Sequence, residues 1–513
     1  MLLDEWKDEI YLALRHLYAE AGLEDLVQIS PKAHDKIVYY LAQRVVDNHP
    51  IDKNVGQAIS KTNGFTLRQS LASFYLNVMI LCMAVLKYCL VPLLFRLITR
   101  SSFQAIEKSD GMRFIFLNSA GGVDRFIDVI PKSLKNNSYR MYYIFTSQIK
   151  KIHQRIKKNR APMFLKPEMP RRRALWRCMK FSCGYGNKFT SGLLSLFGSY
   201  SLPSRLKAVV AIISYLYASI IYHYWARKKA NELSQAHPNA LYIFDVDEAS
   251  KELMLADSLN RLGKKTLLVQ HGILTDPKRY VPTCFYMACS SKREEQALRS
   301  VGIAADRLFC VGQSLQTVKD ATYRSKKMKA AYPILILAGN GPLWIQQLYL
   351  DLLKYSTHLK NVSVYHMRLH PAFGSKQKKM WSSLQNVIIT DPRESLGQSI
   401  LKSDLVIAFS IDALTVVVRQ HRHTICCIPN KCYVPQWYGF LDTIPLVRVA
   451  KTSAMLDEIL DNNPYRNYKK NHLSDLEIQK LDFAFGSLDT ARNLAHLFAF
   501  LSKANCGARL IEQ

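Results

Sequence analysis

"ALYIFDVDEASKELMLADSLNRLGKKTLLVQHG", Ala240 to Gly272, decides the fold of this chain. An apolar run, Leu241 to Phe244, ends in a cluster of acids. A helical stretch follows and stops at Gly263. A second apolar run, Thr266 to Val269, then ends abruptly in Gln270, His271 and Gly272. Two short buried runs separated by one amphipathic helix make a strand–helix–strand unit with parallel strands. The alternation continues in both directions. Upstream, "RFIFLNSAGGVDRFIDVI" predicts a strand, a glycine turn and a helix, and "YRMYYIFTS" a further strand. Downstream, "CFYMACSS" and "RLFCVGQS" predict strands with a helix between them. Beyond the Lys-rich stretch Thr317 to Pro333, strands are predicted in "YPILILAGNGP", "NVSVYHMRLHP", "NVIITD", "DLVIAFS" and "TICCIP". Helices such as "ESLGQSILKS" and "IDALTVVVRQH" lie between several of them. Such a pattern argues for parallel sheets covered on both faces. We therefore expect an α/β chain of two doubly wound, Rossmann-like domains facing one another, closed by the amphipathic helix "SLDTARNLAHLFAFLSK".

Composition agrees with this size of structure. A chain of 513 residues is too long for one ordinary core, and 49% hydrophobic content excludes a disordered polymer. Eleven cysteines are scattered without a CxxC pair, and Cys426, Cys427 and Cys432 lack a fourth partner at metal spacing. They read as reduced thiols of a cytosolic protein. The acidic, helical start "MLLDEWKDEIYLALRHLYAE" does not read as a signal peptide.

The net charge of +30 is unevenly placed: Gln148 to Lys180 holds twelve Lys and Arg against the single acid Glu168. A solvated face, an anionic membrane or acidic polymer, and nucleic acid are the three readings. No zinc-finger, RNP-like or helix-turn-helix signature supports the last, so no nucleic acid is expected. Two apolar stretches, Leu71 to Ile98 and Ala208 to Trp225, are each long enough to cross a bilayer. Spanning twice would separate strands of one sheet. Tyrosines, Trp225 and basic flanks fit an interfacial helix; a buried core helix and a true span are the other readings.

Ligands of open parallel sheets bind beyond the carboxyl ends of the strands. Four such ends carry polar or glycine residues: Gln270-His271-Gly272, Gly339-Asn340-Gly341, Arg368-Leu369-His370-Pro371 and Phe409-Ser410. The glycines either make a tight turn or let a phosphate approach backbone amides at a helix start. His370-Pro371 either ends a strand or, with Arg368, grips a phosphate. Ser410 is a plain N-cap or a phosphate ligand. Asp245, Asp247 and Glu248 either complement a helix dipole or provide a base, a role shared with His271.

These residues resemble the bacterial surface-polysaccharide transferases of GT-B architecture, including the polysialyltransferases and the teichoic-acid glycerophosphotransferases. The resemblance rests on "QHG" (Gln270 to Gly272), "VGQS" (Val311 to Ser314), "RLHP" (Arg368 to Pro371) and "SDLVIAFSIDAL" (Ser403 to Leu414), and covers about Leu241 to Pro429. It implies metal-independent, inverting transfer from a nucleotide-activated donor, often CMP- or CDP-linked, that is substrate rather than cofactor. His370 would contact the donor phosphate, with Ser410 and the Gly339 to Gly341 turn beside it. His271 maps onto the candidate base of the glycerophosphotransferases. The sialyl-type relatives use an acid instead, so the base stays open between His271 and the Asp245 to Glu248 acids. One departure is "TVVVRQ", Thr415 to Gln420, where many GT-B enzymes carry a ribose-binding glutamate.

The resulting division has a helical region at 1–106, a candidate for membrane association. A Rossmann-like acceptor domain follows at 107–322 with a basic and apolar helical insertion at about 150–235. A donor domain with its closing helix occupies 323–513. Expected partners are a nucleotide-sugar donor, a glycan or lipid-linked acceptor and an anionic membrane surface, at the inner face of the cytoplasmic membrane. No metal or cofactor is expected. A nucleotide-sugar 2-epimerase of the same architecture and a non-catalytic polyanion- or membrane-binding protein are the alternatives.

Overall fold

A computed structural model of the chain describes residues 3–20, 30–48, 67–98, 106, 113–118, 139–144, 163–165, 170, 172–197, 201–245, 250–270, 274, 282–313, 318, 321, 332–339, 341–357, 359, 364–371, 373–384, 386–391, 393–409, 411–462 and 473–507. The apolar runs form two sheets. The first contains β1 (Phe114–Asn118), β2 (Tyr139–Ile144), β3 (Met163–Leu165), β4 (Leu241–Phe244), β5 (Thr266–Val269), β6 (Tyr286–Cys289) and β7 (Leu308–Cys310). The second contains β8 (Tyr332–Leu337), β9 (Tyr365–Arg368), β10 (Val387–Ile389), β11 (Ser403–Ala408), β12 (His423–Cys427) and β13 (Val447–Ala450). Their orders are β3-β2-β1-β4-β5-β6-β7 and β10-β9-β8-β11-β12-β13. All described pairings are parallel. Each sheet grows outward from its first strand and then reverses, so each has a switch point, at β1/β4 and at β8/β11. Two strands go beyond the sequence reading. β13 follows short helical turns, and β3 is three residues embedded in the basic segment, where flanking charge hides an edge strand.

Before and between these strands run α1 (Leu3–Glu20), α2 (Pro31–Asn48), α3 (Leu67–Ile98), α4 (Arg172–Lys180), α5 (Gly186–Leu196) and α6 (Leu202–Ala236). They cover one face of the first sheet. Leu14, Ile37, Ile80, Leu193 and Ile213 share a single core with Ile115, Leu117, Tyr242 and Phe244. The second apolar stretch lies within α6, a 35-residue helix, about 52 Å long. It packs along α7 (Ser250–Arg261) and against α3, and Val209, Ile213 and Tyr217 are fully buried. Ala208 to Trp225 is therefore a core helix of the first unit. Its buried Tyr217 hydroxyl donates to Asn77 Oδ1 at 2.7 Å.

His223 on α6 is 3% exposed. Burial, reinforced by Arg227, Arg177 and Arg261, pushes its pKa down to about 4. Above pH ~6.5 the imidazole is neutral in both folded and unfolded chains. As pH falls from there towards 4, only the unfolded chain takes the proton, so stability falls by about 3 kcal/mol across that window. Urea unfolding at pH 7 and pH 5 should show about 2 kcal/mol of this loss in the wild type and a smaller one in His223→Gln. An equal loss in both proteins would disprove the assignment.

The later helices are α8 (Lys292–Ser300), α9 (Leu343–Lys354), α10 (Ser375–Trp381), α11 (Leu396–Leu401), α12 (Ile411–Arg419), α13 (Ser453–Asp461), α14 (Asp475–Phe485) and α15 (Thr490–Gly507). Side-chain hydroxyls start several of them: Ser291, Ser395, Thr452 and Ser474 each accept from the amide three residues on. α14 packs in the second unit, with Leu481 and Phe485 against Leu414 and Val418. α15 returns to the first, where Leu494, Leu497 and Phe498 cover Phe114, Phe116 and Leu241. Two doubly wound domains with a terminal helix crossing back are the GT-B arrangement.

Candidate functional site

The second sheet brings its marked strand ends together. The Phe409 amide donates to Leu337 O at 3.1 Å, and the Ala338 amide to Arg368 O at 3.1 Å. Gly339, Phe409 and the chain leading to His370 therefore adjoin at the carboxyl edge, around the β8/β11 switch point. A β-carbon at Gly339 would press into the Phe409 carbonyl and its Cβ. Glycine is required there by the strand ends themselves. At Gly341 the added carbon would meet, among the described residues, only Ile345, at an ordinary 3.7 Å from its Cγ2, so those residues do not demand glycine. The buried Gln346 holds this turn, donating to Gly341 O at 2.6 Å and accepting from Trp381 Nε1 at 3.0 Å.

Pro342 is the N-cap of α9, and among the described residues no side chain caps the helix. The first amides of α9 thus open towards the glycine turn with the positive end of the helix dipole. Trp344, in that first turn, packs against both the core of the first unit and a cluster of the second.

His370 is half-buried, and its ring lies 5.9 Å from Phe373. Phe373 continues to Trp381 and Trp381 to Phe409, with centroids 6.2 and 5.6 Å apart. This aromatic row supports the imidazole from below. The Phe373 amide donates to His370 O at 3.0 Å, closing the turn through Pro371. Arg368 donates to Ser399 Oγ at 3.1 Å, and Ser399 donates to Glu394 at 3.0 Å. Lys402 is ion-paired to the same carboxylate. Arg368 is thereby fixed against α11, on the opposite face of β9 from the buried Tyr365 and Met367. Burial lowers the pKa of His366, its neighbour on that face, while Glu394 opposes the shift.

In the first sheet, Asp245 follows β4 and Gln270 follows the adjacent β5. Asp245 is 2% exposed, and the Gln270 amide donates to Ala288 O at 3.0 Å. Asp245 stands at the β1/β4 switch point. Beyond Gln270, Leu274 is fastened at both backbone groups. Its amide donates to Glu294 Oε1 at 2.6 Å, and its carbonyl accepts from Arg293 Nη2 at 2.8 Å. Glu294 also accepts the Ser290 amide at 2.9 Å, and burial raises its pKa. Arg293 reaches the second unit as well, donating to Ala484 O at 3.2 Å and lying 4.1 Å over the Phe440 ring.

Sequence reasoning missed this pair because "KREEQ" looks like a solvated helix start. The spacing of Ser291 and Glu294 marks a cap, and nothing local marks burial. The described part of "VGQS" also serves the junction. Gly312 has a φ of 101°, and Gln313 donates its amide to Ser487 O at 3.0 Å. At the "TVVVRQ" departure, Arg419 donates to Gly486 O at 2.9 Å, giving that helix a structural duty.

His271, Gly272, Asp247, Glu248, Asn340 and Ser410 lie outside the described residues. Among the described residues, no group of three His, Cys, Asp or Glu could hold a metal ion.

No family model matches the chain, and no curated protein does. Solved structures similar to it include UDP-GlcNAc 2-epimerase from Methanocaldococcus jannaschii in complex with UDP-GlcNAc and UDP. That protein is 10% identical, with 76% of this chain and 100% of that one covered and a TM-score of 0.44. The Neisseria meningitidis UDP-GlcNAc 2-epimerase bound to UDP-GlcNAc is 11% identical, covering 76% and 100%, with a TM-score of 0.43. A glycosyltransferase from Rickettsia africae is 12% identical, covering 75% and 98%, with a TM-score of 0.45. Similarity at this level says nothing about chemistry.

Proposed function

We propose that the chain is a transferase that moves a sugar or polyol phosphate from a nucleotide-activated donor to a surface-polysaccharide or lipid-linked acceptor. A CMP- or CDP-linked donor is the choice implied by the QHG and RLHP resemblance. One observation carries the reading. The glycine turn, the uncapped start of α9 and the strand end bearing His370 adjoin at the switch point of the second sheet, where doubly wound sheets bind nucleotides. The leaving phosphate needs hydrogen-bond donors, which His370 and the α9 amides provide. The acceptor hydroxyl needs a base, taken from His271 or the Asp245 to Glu248 acids. Closure of the two units would keep water from the donor.

The test is thermal stabilisation of the purified chain by CMP, CDP, UDP and GDP in EDTA, for wild type, His370→Ala and Gly341→Ala. A cytidine nucleotide should stabilise the wild type by several degrees. His370→Ala should weaken its binding about 10–100-fold, the loss of one charge-assisted hydrogen bond. Gly341→Ala should melt within a degree or two of wild type yet lose nucleotide affinity, since its added methyl clears the described side chains and would stand where the proposed phosphate binds. Stabilisation by UDP alone would overturn the cytidine choice. A wild type that ignores all four nucleotides would sink the donor site. Conversion of the donor without acceptor would instead favour 2-epimerase chemistry.

A further inference from the structure

Between Ser73 and Leu90 the outward face of α3 is apolar apart from the exposed Lys87. Ser73, Asn77, Ile80, Ala84 and Tyr88 point inward and are buried, whereas Tyr75, Met79, Met83, Leu86 and Leu90 are exposed, Tyr75 by 70% and Leu86 by 61%. This stripe runs about 22 Å along the helix. Single exposed apolar residues are ordinary, but a continuous stripe marks a contact surface. Beside it lies α4, which buries Ala174 and Cys178 and exposes Trp176 and Met179 among Arg172, Arg173 and Lys180. Cys178 and Tyr88 belong to the same core, so the two helices turn their outer faces away from one layer. Lys180 Nζ lies 5.8 Å from the Trp176 ring.

We infer that the outer faces of α3 and α4 form a membrane-docking surface that lies in the headgroup region of an anionic bilayer. Charge selects this occupant. α3 and α4 contain no acid, and from Met169 to Asn231 there are eleven Lys and Arg with no Asp or Glu. An apolar stripe with a tryptophan and a purely cationic border matches an anionic lipid surface, with apolar side chains below the headgroups and the cations among them. The helix lies along the bilayer and does not cross it. Its inner face is committed to the core of the first unit, where Ser73 and Ser191 hydroxyls bond at 2.8 Å and Asn77 Nδ2 donates to Ser182 O at 3.3 Å. Two helices, α3 and α6, are long and apolar enough to span by composition, and only α3 keeps a bare apolar face. This inference is independent of the donor chemistry.

The experiment is co-sedimentation of the full chain with vesicles of phosphatidylcholine alone or mixed 3:1 with phosphatidylglycerol. Wild type should bind the anionic vesicles and be weakened by 0.5 M salt. Arg172→Glu/Arg173→Glu/Lys180→Glu should reduce partitioning on the order of 100-fold. Met83→Asp/Leu86→Asp should reduce it at least about tenfold with every basic residue kept. All five substituted sites are exposed, and unchanged melting curves will show that the variants are folded. Equal binding to neutral vesicles, no binding to anionic ones, or binding untouched by the aspartates would overturn the proposal. So would a dimer in light scattering that Met83→Asp/Leu86→Asp dissociates, which would give the face to a second copy of the chain.

Discussion

If His271 is the base of the proposed transfer, asparagine in its place should lower turnover of the donor about 10²–10⁴-fold while leaving nucleotide stabilisation unchanged. That range is what a positioned general base contributes. The separation follows from where the flanking residues sit. Gln270 ends β5 in the first sheet, beside the buried Asp245 at the end of β4. Gly339, Gly341 and His370 belong to the carboxyl edge of the second sheet. A residue that follows Gln270 directly in the chain should therefore act on the acceptor rather than hold the donor phosphate. The backbone at Leu274 is pinned by Arg293 and Glu294, so a change at His271 should not propagate into the donor domain. Single-turnover rates and nucleotide melting shifts, measured for His271→Asn and Asp247→Asn, decide between the two bases. The variant that loses turnover alone identifies the base. If both retain wild-type turnover, neither residue is the base.

Gly486→Ala will cost several kcal/mol and loosen the two units from one another. Gly486 ends α14 with a φ of 93°, in the left-handed region that disfavours a side chain. An added β-carbon would run into the Ser290 carbonyl and come within 3.2 Å of Gly312 Cα. Both obstacles are backbone and cannot swing aside. The crossing segment carries the junction: Thr490 Oγ1 donates to Gln313 O at 2.5 Å, and Asn493 Nδ2 to Val311 O at 3.2 Å. Strain together with overpacking of this kind is worth about 2–4 kcal/mol. Gly263→Ala is the control, because Gly263 also has a positive φ, of 70°, yet open space around its Cα. It should cost only about 1 kcal/mol. Urea unfolding followed by tryptophan fluorescence should show a lowered transition for Gly486→Ala and a near-normal one for Gly263→Ala. Equal losses in the two variants would mean that backbone conformation alone matters and that the crossing is not tightly packed.

Much of the fold was legible because a parallel sheet buried on both faces writes itself as short apolar runs between amphipathic helices. The segment from Leu241 to Val269 shows this directly. β3 was hidden because an edge strand of three residues needs no long apolar run, and its neighbours are Lys and Arg. α6 was ambiguous for a different reason. A helix that is apolar all round has the same composition in a core and at a bilayer, and only its neighbours distinguish the two. Of the candidate site, the sequence located the strand ends but could not rank the glycines. Gly339 and Gly341 are spelled alike, yet one is held by the Phe409 backbone and the other is not.

The chain's residues by themselves determined the α/β class, the position of nearly every described strand, and the four strand ends at which chemistry could be placed. These depend on local period and on residue type, which need no partner to be read. Tertiary structure alone decided that Arg293 and Glu294 anchor the junction, that Arg419 secures the crossing, and that α3 keeps an apolar face uncovered. Each of these depends on what lies opposite a side chain, tens to hundreds of residues away, and burial of that kind leaves no local period to detect.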